Sequence, residues 1–215
     1  MNIGALAVIN DLMKHTFTLL VGLSLLTQAV VAAPLSFDFK DPKGVNNIIF
    51  KLDAPLEAIN GTTTDISGMV SFDPTNPGAV NGKIVVAAAS LNVPNPVMKQ
   101  HLDGDMWLSV AKFPQISFEA VSAANVKTTA NVTTADLTGN LTLKGVTKKI
   151  VVPVKLTYLK DKLKARFPTL NGDLLVLRAS FTIKRADFGI NPGQGEEKVA
   201  SDIALELSLA GAAPR

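Results

Sequence analysis

From residue 34 onward the chain alternates apolar and polar residues with a period of two, and no other feature restricts its fold as strongly. Ile150, Val152, Val154, Leu156 and Tyr158 alternate with Val151, Pro153, Lys155 and Thr157. Leu175, Leu177, Ala179, Phe181 and Ile183 alternate with Val176, Arg178, Ser180, Thr182 and Lys184. The same rhythm runs through Ile116–Ala120, Leu137–Leu143 and Ile203–Leu209. Successive side chains of a strand point to opposite faces, so these runs predict strands with one dry and one wet face. Turn signals separate them: Asn60-Gly61, Asp73-Pro74, Asn76-Pro77-Gly78, Asn81-Gly82, Lys144-Gly145 and Asn171-Gly172-Asp173. Counting runs between turns gives about eight to ten strands. Pro153 marks its strand as an edge or the site of a bulge.

One internal stretch resists strand assignment. Pro96–Leu102 predicts a short helix, with Asn95 as cap and Pro96 in the first turn, and Asp105–Leu108 adds a further turn. One short helix among many antiparallel strands reads as a barrel or sandwich with a lid or plug. No linker, composition shift or repeat divides residues 34–215, which predicts one domain.

Residues 1–33 read as a signal peptide. Lys14 and His15 precede the apolar run Phe17–Leu26, and a small-residue stretch ends at Ala33-Pro34. Val30 and Ala32 suit a cut after Ala32. Export normally permits disulfides, yet the chain has no cysteine. That excludes a thiol nucleophile, a Cys-based zinc site and a lipobox anchor. The net charge of +3 is too mild to imply nucleic-acid binding. Lys160, Lys162, Lys164 and Arg166 would share one face if their segment were a strand, giving a solvated surface near a hairpin or a weak attraction to anionic headgroups.

Catalytic constellations are absent from the sequence. His101, Asp103 and Asp105 form H-x-D-x-D, which is thin for a metal site that wants at least three ligands. His101 is the only histidine beyond the signal peptide, and no G-x-S-x-G elbow supplies a serine for it. Gly189–Gly195 is glycine-rich but lies between strands, without the helix that a phosphate-cradling loop needs. Arg185 and Asp187, two residues apart, would pair on one strand face. Neither an enzyme activity nor a cofactor nor a metal is expected. Gly139, Ala179 and Ala87-Ala88-Ala89 place small residues on or beside the dry faces, which would leave room inside a barrel.

Four segments in register resemble the YceI-like family of exported lipid-binding proteins. They are Ser67-Gly68-Met69-Val70-Ser71-Phe72-Asp73-Pro74; His101-Leu102 followed by Trp107–Phe118; Gly139-Asn140-Leu141-Thr142-Leu143-Lys144-Gly145-Val146-Thr147-Lys148; and Arg185-Ala186-Asp187-Phe188-Gly189-Ile190. The resemblance spans roughly residues 36 to 211. It departs at Lys43–Phe50, which lacks a histidine that the family often carries there.

The resemblance implies an all-β fold: an extended, eight-stranded, antiparallel, lipocalin-like barrel with one short helical segment. It implies an apolar tunnel for a polyisoprenoid or similar long chain, a periplasmic location and a homodimer. Phe72, Trp107, Phe118, Leu141, Val152, Ala179, Phe181 and Phe188 would then touch the ligand. His101, Arg185 and Asp187 would form a polar rim. The partners are a long-chain isoprenoid or other lipid and, transiently, a membrane; nucleic acid is not among them. Two other readings fit the alternation alone: a small outer-membrane barrel, and a ligand-free structural or stress-response barrel.

Overall fold

A computed structural model describes residues 33–215. The expected signal peptide, residues 1–33, lies outside the described residues but for Ala33. Ten strands make one sheet. They are β1 (Leu35–Asp38), β2 (Asn47–Asp53), β3 (Ala58–Thr63), β4 (Ile66–Phe72), β5 (Asn81–Ala87), β6 (Gln115–Thr129), β7 (Val132–Leu143), β8 (Val146–Leu159), β9 (Gly172–Lys184) and β10 (Asp202–Pro214). Helix α1 spans Pro96–Asp103, and α2 is a single turn at Leu163–Arg166.

The sheet order is β1-β4-β5-β6-β7-β8-β9-β10-β2-β3, and every pairing is antiparallel. β1 also meets β10, at Asp38 opposite Ala212. Eight strands therefore close into a barrel, which removes the exposed edges of an open sheet. β2 pairs with Ala204–Ser208 of β10, so β1 and β2 follow one another along that strand. β3 extends this wall and touches the chain after β5 through a bridge between Thr62 and Asn92.

Pro153 lies in no bulge, and on the side facing β9 its strand is an unpaired edge up to this residue. The β7–β8 ladder passes it without interruption, opposite Asp136. The β8–β9 ladder begins one residue later, at Val154 opposite Ala179, and continues to Leu159 opposite Leu174. Proline has no N–H to donate, and it stands where that ladder stops. Beyond it the wall is sealed by side chains: Ile150, Phe181, Ile183 and Phe188 pack together.

The end carrying the β8–β9 connection is solid. Phe37 and Phe39 are fully buried there with Phe72, Leu175 and Leu209. Tyr158 stands edge-on to Phe37 at 6.4 Å and tilted to Phe72 at 6.3 Å between ring centroids. Each such side chain contributes roughly 1.5–3 kcal/mol by leaving water. Polar groups close this end without orphaned atoms. Asp173 accepts hydrogen bonds from Tyr158 Oη (2.8 Å), Asp161 N (2.8 Å) and Arg215 Nη2 (2.7 Å). Asn46 donates to Phe39 O and Ala210 O and accepts from Ala210 N.

Three sequence expectations change. Asn60-Gly61 and Asn81-Gly82 are not turns but lie inside β3 and β5. Gly61 is there because a Cβ would sit 2.1 Å from the Phe50 ring opposite it, and Gly82 because a Cβ would sit 2.4 Å from Met69 O. Lys160–Arg166 is no strand, so its four basic groups do not share a face. It forms the turn and α2, with Leu163 fully buried and Arg166 paired to Asp41 at 2.6 Å.

Candidate functional site: an apolar blind tunnel

The other half of the barrel is hollow. A cavity of about 660 Å³ opens among α1, the β2–β3 turn and the loop before β10. The parity of the strands decides which side chains line it. On β10 these are Ile203, Leu205, Leu207 and Leu209; on β9, Ile183, Phe181, Ala179 and Leu177; on β8, Val152, Val154 and Leu156. Many outward residues on the same strands are polar and exposed, among them Lys155, Arg178, Ser180, Lys184 and Glu206, with Val151 and Ala204 as apolar exceptions. Charged side chains at mid-strand on this face oppose the continuous apolar band that an outer-membrane barrel presents to lipid.

The depth of the tunnel can be read rung by rung. Leu209, Leu177 and Leu156 are directly opposite one another across β10, β9 and β8, and all three line the cavity. The next rung is Gly211, Leu175 and Tyr158, and none of them lines it. The Phe39 ring fills the place of a Gly211 side chain, where a Cβ would meet it at 2.6 Å. Along β10 the inward residues change from partly accessible, Ile203 to Leu207, to buried, Leu209 to Ala213. The tunnel therefore ends on three leucines backed by the aromatic plug.

Polar side chains gather at the open end. Glu57, Asn95, His101 and Lys198 line it there, with Arg185 in the wall, while Thr63 on β3 and Asn81 at the start of β5 are the polar residues of the lining elsewhere. α1 covers one side of this opening. Its start is dictated locally: Asn95 Oδ1 accepts from Val97 N (2.9 Å) and Met98 N (3.2 Å), and Pro96 takes the first position. Met98 and Leu102 turn inward onto the cluster of Phe50, Leu52 and Val93. Val97 stays 57% exposed, and Leu56, in the β2–β3 turn, 67% exposed. Leu56 N donates to Glu197 O, tying that turn to the loop before β10.

Arg185 is fully buried and, among the described residues, carries no carboxylate partner. Instead all five of its N–H directions end on main-chain carbonyls of the loop before β10. Nε donates to Ala200 O (3.1 Å), Nη1 to Ile190 O (3.2 Å) and Asn191 O, and Nη2 to Gln194 O (2.7 Å) and Val199 O (3.2 Å). Its guanidinium lies 5.9 Å from the centre of the Trp107 ring. This rigid fork, with its fixed donor directions, is what one arginine offers and a lysine does not.

Of the eleven residues expected at the site, eight line the tunnel: Trp107, Phe118, Leu141, Val152, Ala179, Phe181, His101 and Arg185. Three do not. Phe72 belongs to the aromatic plug beneath the floor, since β4 brings it against Tyr158. Phe188 packs under the loop with Leu108, Ile183 and Ile190. Asp187 is exposed, and the expected Arg185–Asp187 pair does not form, because Arg185–Phe188 is a 3₁₀ turn rather than a strand. The room expected at Gly139 is also taken: a Cβ there would lie 2.4 Å from Phe118 Cζ and 2.5 Å from Glu119 O. Ala179, by contrast, faces the cavity. His101, Asp103 and Asp105 do not converge; Asp103 pairs with Lys99, one turn away on α1. Among the described residues no three His, Cys, Asp or Glu side chains group as metal ligands. The three floor leucines were not among the residues expected at the site, although the alternation already placed them on the inward face.

The model of the YceI-like domain matches residues 44–210. A UPF0312 protein of Pseudomonas aeruginosa is 32% identical over 151 residues, covering 70% of this chain and 72% of the relative. A UPF0312 protein of Pseudomonas syringae pv. syringae is 37% identical over 152 residues, covering 69% and 72%. Among solved structures, a polyisoprenoid binding domain from Saccharophagus degradans aligns with a TM-score of 0.61 at 14% identity, over 85% of this chain and all of that one. The Campylobacter jejuni YCEI protein, as a mutant carrying a monobromobimane guest, aligns with a TM-score of 0.59 at 24% identity, over 71% and 83%.

Proposed function

The chain belongs to the YceI-like family, and we propose that it is a non-catalytic periplasmic protein that holds a polyisoprenoid, or a lipid of similarly long apolar chain, as carrier or sequestering agent. The single observation that carries this reading is the tunnel, whose walls are apolar but for Thr63 and Asn81 and whose charged side chains, Arg185 in the wall apart, stand at the open end. A solvent-filled pocket with such walls is costly, and an apolar chain offsets that cost. At roughly 30 Å³ per chain carbon, the share a water molecule takes, 660 Å³ accepts about twenty-two carbons. Burying them yields roughly 18 kcal/mol gross, against about 4–15 kcal/mol for association. Apolar burial alone therefore suffices, and no reactive group is required.

The relative from Saccharophagus degradans, described as a polyisoprenoid binding domain, supports the choice of ligand. The Lys14-led apolar segment supports export. Leu56 and Val97, exposed beside the opening, support a transient contact with the membrane from which such a chain must come. Mass spectrometry of an organic extract of the exported protein tests the proposal. A stoichiometric long-chain lipid is expected. Repeated purification without any lipid, with none taken up from vesicles, would leave only the structural-barrel reading. N-terminal sequencing of the same sample should begin near Ala33, and sedimentation reads whether it is the expected homodimer.

A further inference from the structure

We infer that the rung of Leu156, Leu177 and Leu209 is a length gauge, which sets how many carbons of the ligand the barrel shelters. This rests on the lipid-binding reading above and adds to it a limit and the residues that set it. The floor cannot yield easily. Directly behind it, Phe39 lies in the space of Gly211, and Tyr158 is held by Asp173 and flanked by Phe37 and Phe72. Leu209 and Leu175 are fully buried, and Leu156 nearly so. A chain entering from the α1 end therefore stops at the leucines, and any excess remains at the opening. The cavity volume places that limit at about twenty-two carbons, taking roughly 30 Å³ per carbon.

Three small residues line the cavity: Gly82 on β5, Ala120 on β6 and Ala179 on β9. Ala179 stands opposite Leu207 on β10 and Val154 on β8, and all three line the cavity. A larger side chain there raises the floor, whereas a smaller one at Leu209 lowers it. In a close-packed interior added volume displaces an equal volume of ligand. Ala179→Phe should then shorten the limit by about four carbons, and Leu209→Ala should lengthen it by about three.

The test is a partition experiment. Delipidated protein is equilibrated with phosphatidylcholine vesicles containing linear saturated alcohols in two-carbon steps, then separated and extracted. A vesicle buries every carbon of each alcohol, and the tunnel does so only up to its limit. The protein-to-vesicle ratio should be flat with length, then fall by about fourfold for each carbon beyond the limit. The break should lie near twenty-two carbons in the wild type, lower in Ala179→Phe and higher in Leu209→Ala. The two variants oppose each other, so a general loss of folding cannot imitate the pattern, and circular dichroism of each confirms the fold. A break that neither folded variant moves, or a ratio without a break, overturns the gauge while leaving lipid binding intact. Should the wild type retain no alcohol of any length, the gauge and the lipid-binding reading fall together.

Discussion

Replacing Arg185 tests whether one side chain organises the tunnel opening. Its five N–H groups all end on carbonyls between Ile190 and Ala200, which no strand ladder satisfies. Hydrogen bonds to a charged donor contribute about 1.5–3 kcal/mol each, so the set is worth roughly 7–15 kcal/mol before opposing costs. Burying the guanidinium costs several kcal/mol. In Arg185→Ala the loop from Pro192 to Lys198, already exposed, returns part of its backbone to water. A net loss of about 4 kcal/mol remains. For a domain of this size, 1 kcal/mol lowers Tm by about 2–4 °C, so the expected fall is roughly 8–16 °C. Arg185→Lys keeps the charge but offers three donors from a single point, and should recover less than half of the loss. Thermal and urea unfolding followed by circular dichroism measure both variants. Ligand escape, read by transfer to vesicles well below Tm, should speed up in both, since Ile190 and Val199 help line the tunnel. A Tm within about 2 °C of wild type, or a lysine variant equal to wild type, would refute the reasoning.

Other expectations follow from single residues. Tyr158 is the only tyrosine, and burial, then its hydrogen bond to Asp173, pushes its phenol from 10.0 up to about 12. A raised folded value means stability is complete below pH 10.0 and is lost as pH climbs towards about 12. Phenolate absorbance should titrate near 12 in the folded protein, and Tyr158→Phe should remove that alkaline loss; a midpoint at 10 would contradict the partly buried, hydrogen-bonded phenol. Burial raises the Asp41 carboxyl, but N–H groups of Asn46, Lys43 and Val45 and the Arg166 guanidinium outweigh it and hold it below 3.8. Its contribution is present above 3.8 and lost as pH falls through the lower folded value. Asp41→Asn should flatten the acid limb of Tm against pH, and an unchanged limb would assign acid sensitivity elsewhere. Gly139→Ala should cost about 1–3 kcal/mol, because β6 and β7 are paired on both sides of the clash and only the Phe118 ring can give way. Displaced into the tunnel, that ring should also lower lipid uptake; a neutral substitution would show that the two strands part easily.

The alternation by itself determined which side of each long strand is dry. Parity is local, repeating every second residue whatever the strand pairs with, so Val152, Phe181 and Leu205 were legible as inward from the chain alone. Asn95 and Pro96 likewise announced α1, because a cap acts within one turn. Depth along the barrel carries no such mark. Leu207 and Leu209 are the same residue type with the same parity, yet the first lines the mid-tunnel and the second is the floor. The difference comes from Phe39 and Tyr158, brought behind Leu209 by β1 and β8 from far along the chain. Gly139 and Ala179 both looked like empty space; only the pairing of β6 with β7 lays the Phe118 ring over one and leaves the other open. Arg185 looked like half of a short-range ion pair, but a 3₁₀ turn aimed it at carbonyls five to fifteen residues away. What repeats locally was settled by residue order, and what depends on which distant strand stands behind a side chain was settled only when the barrel closed.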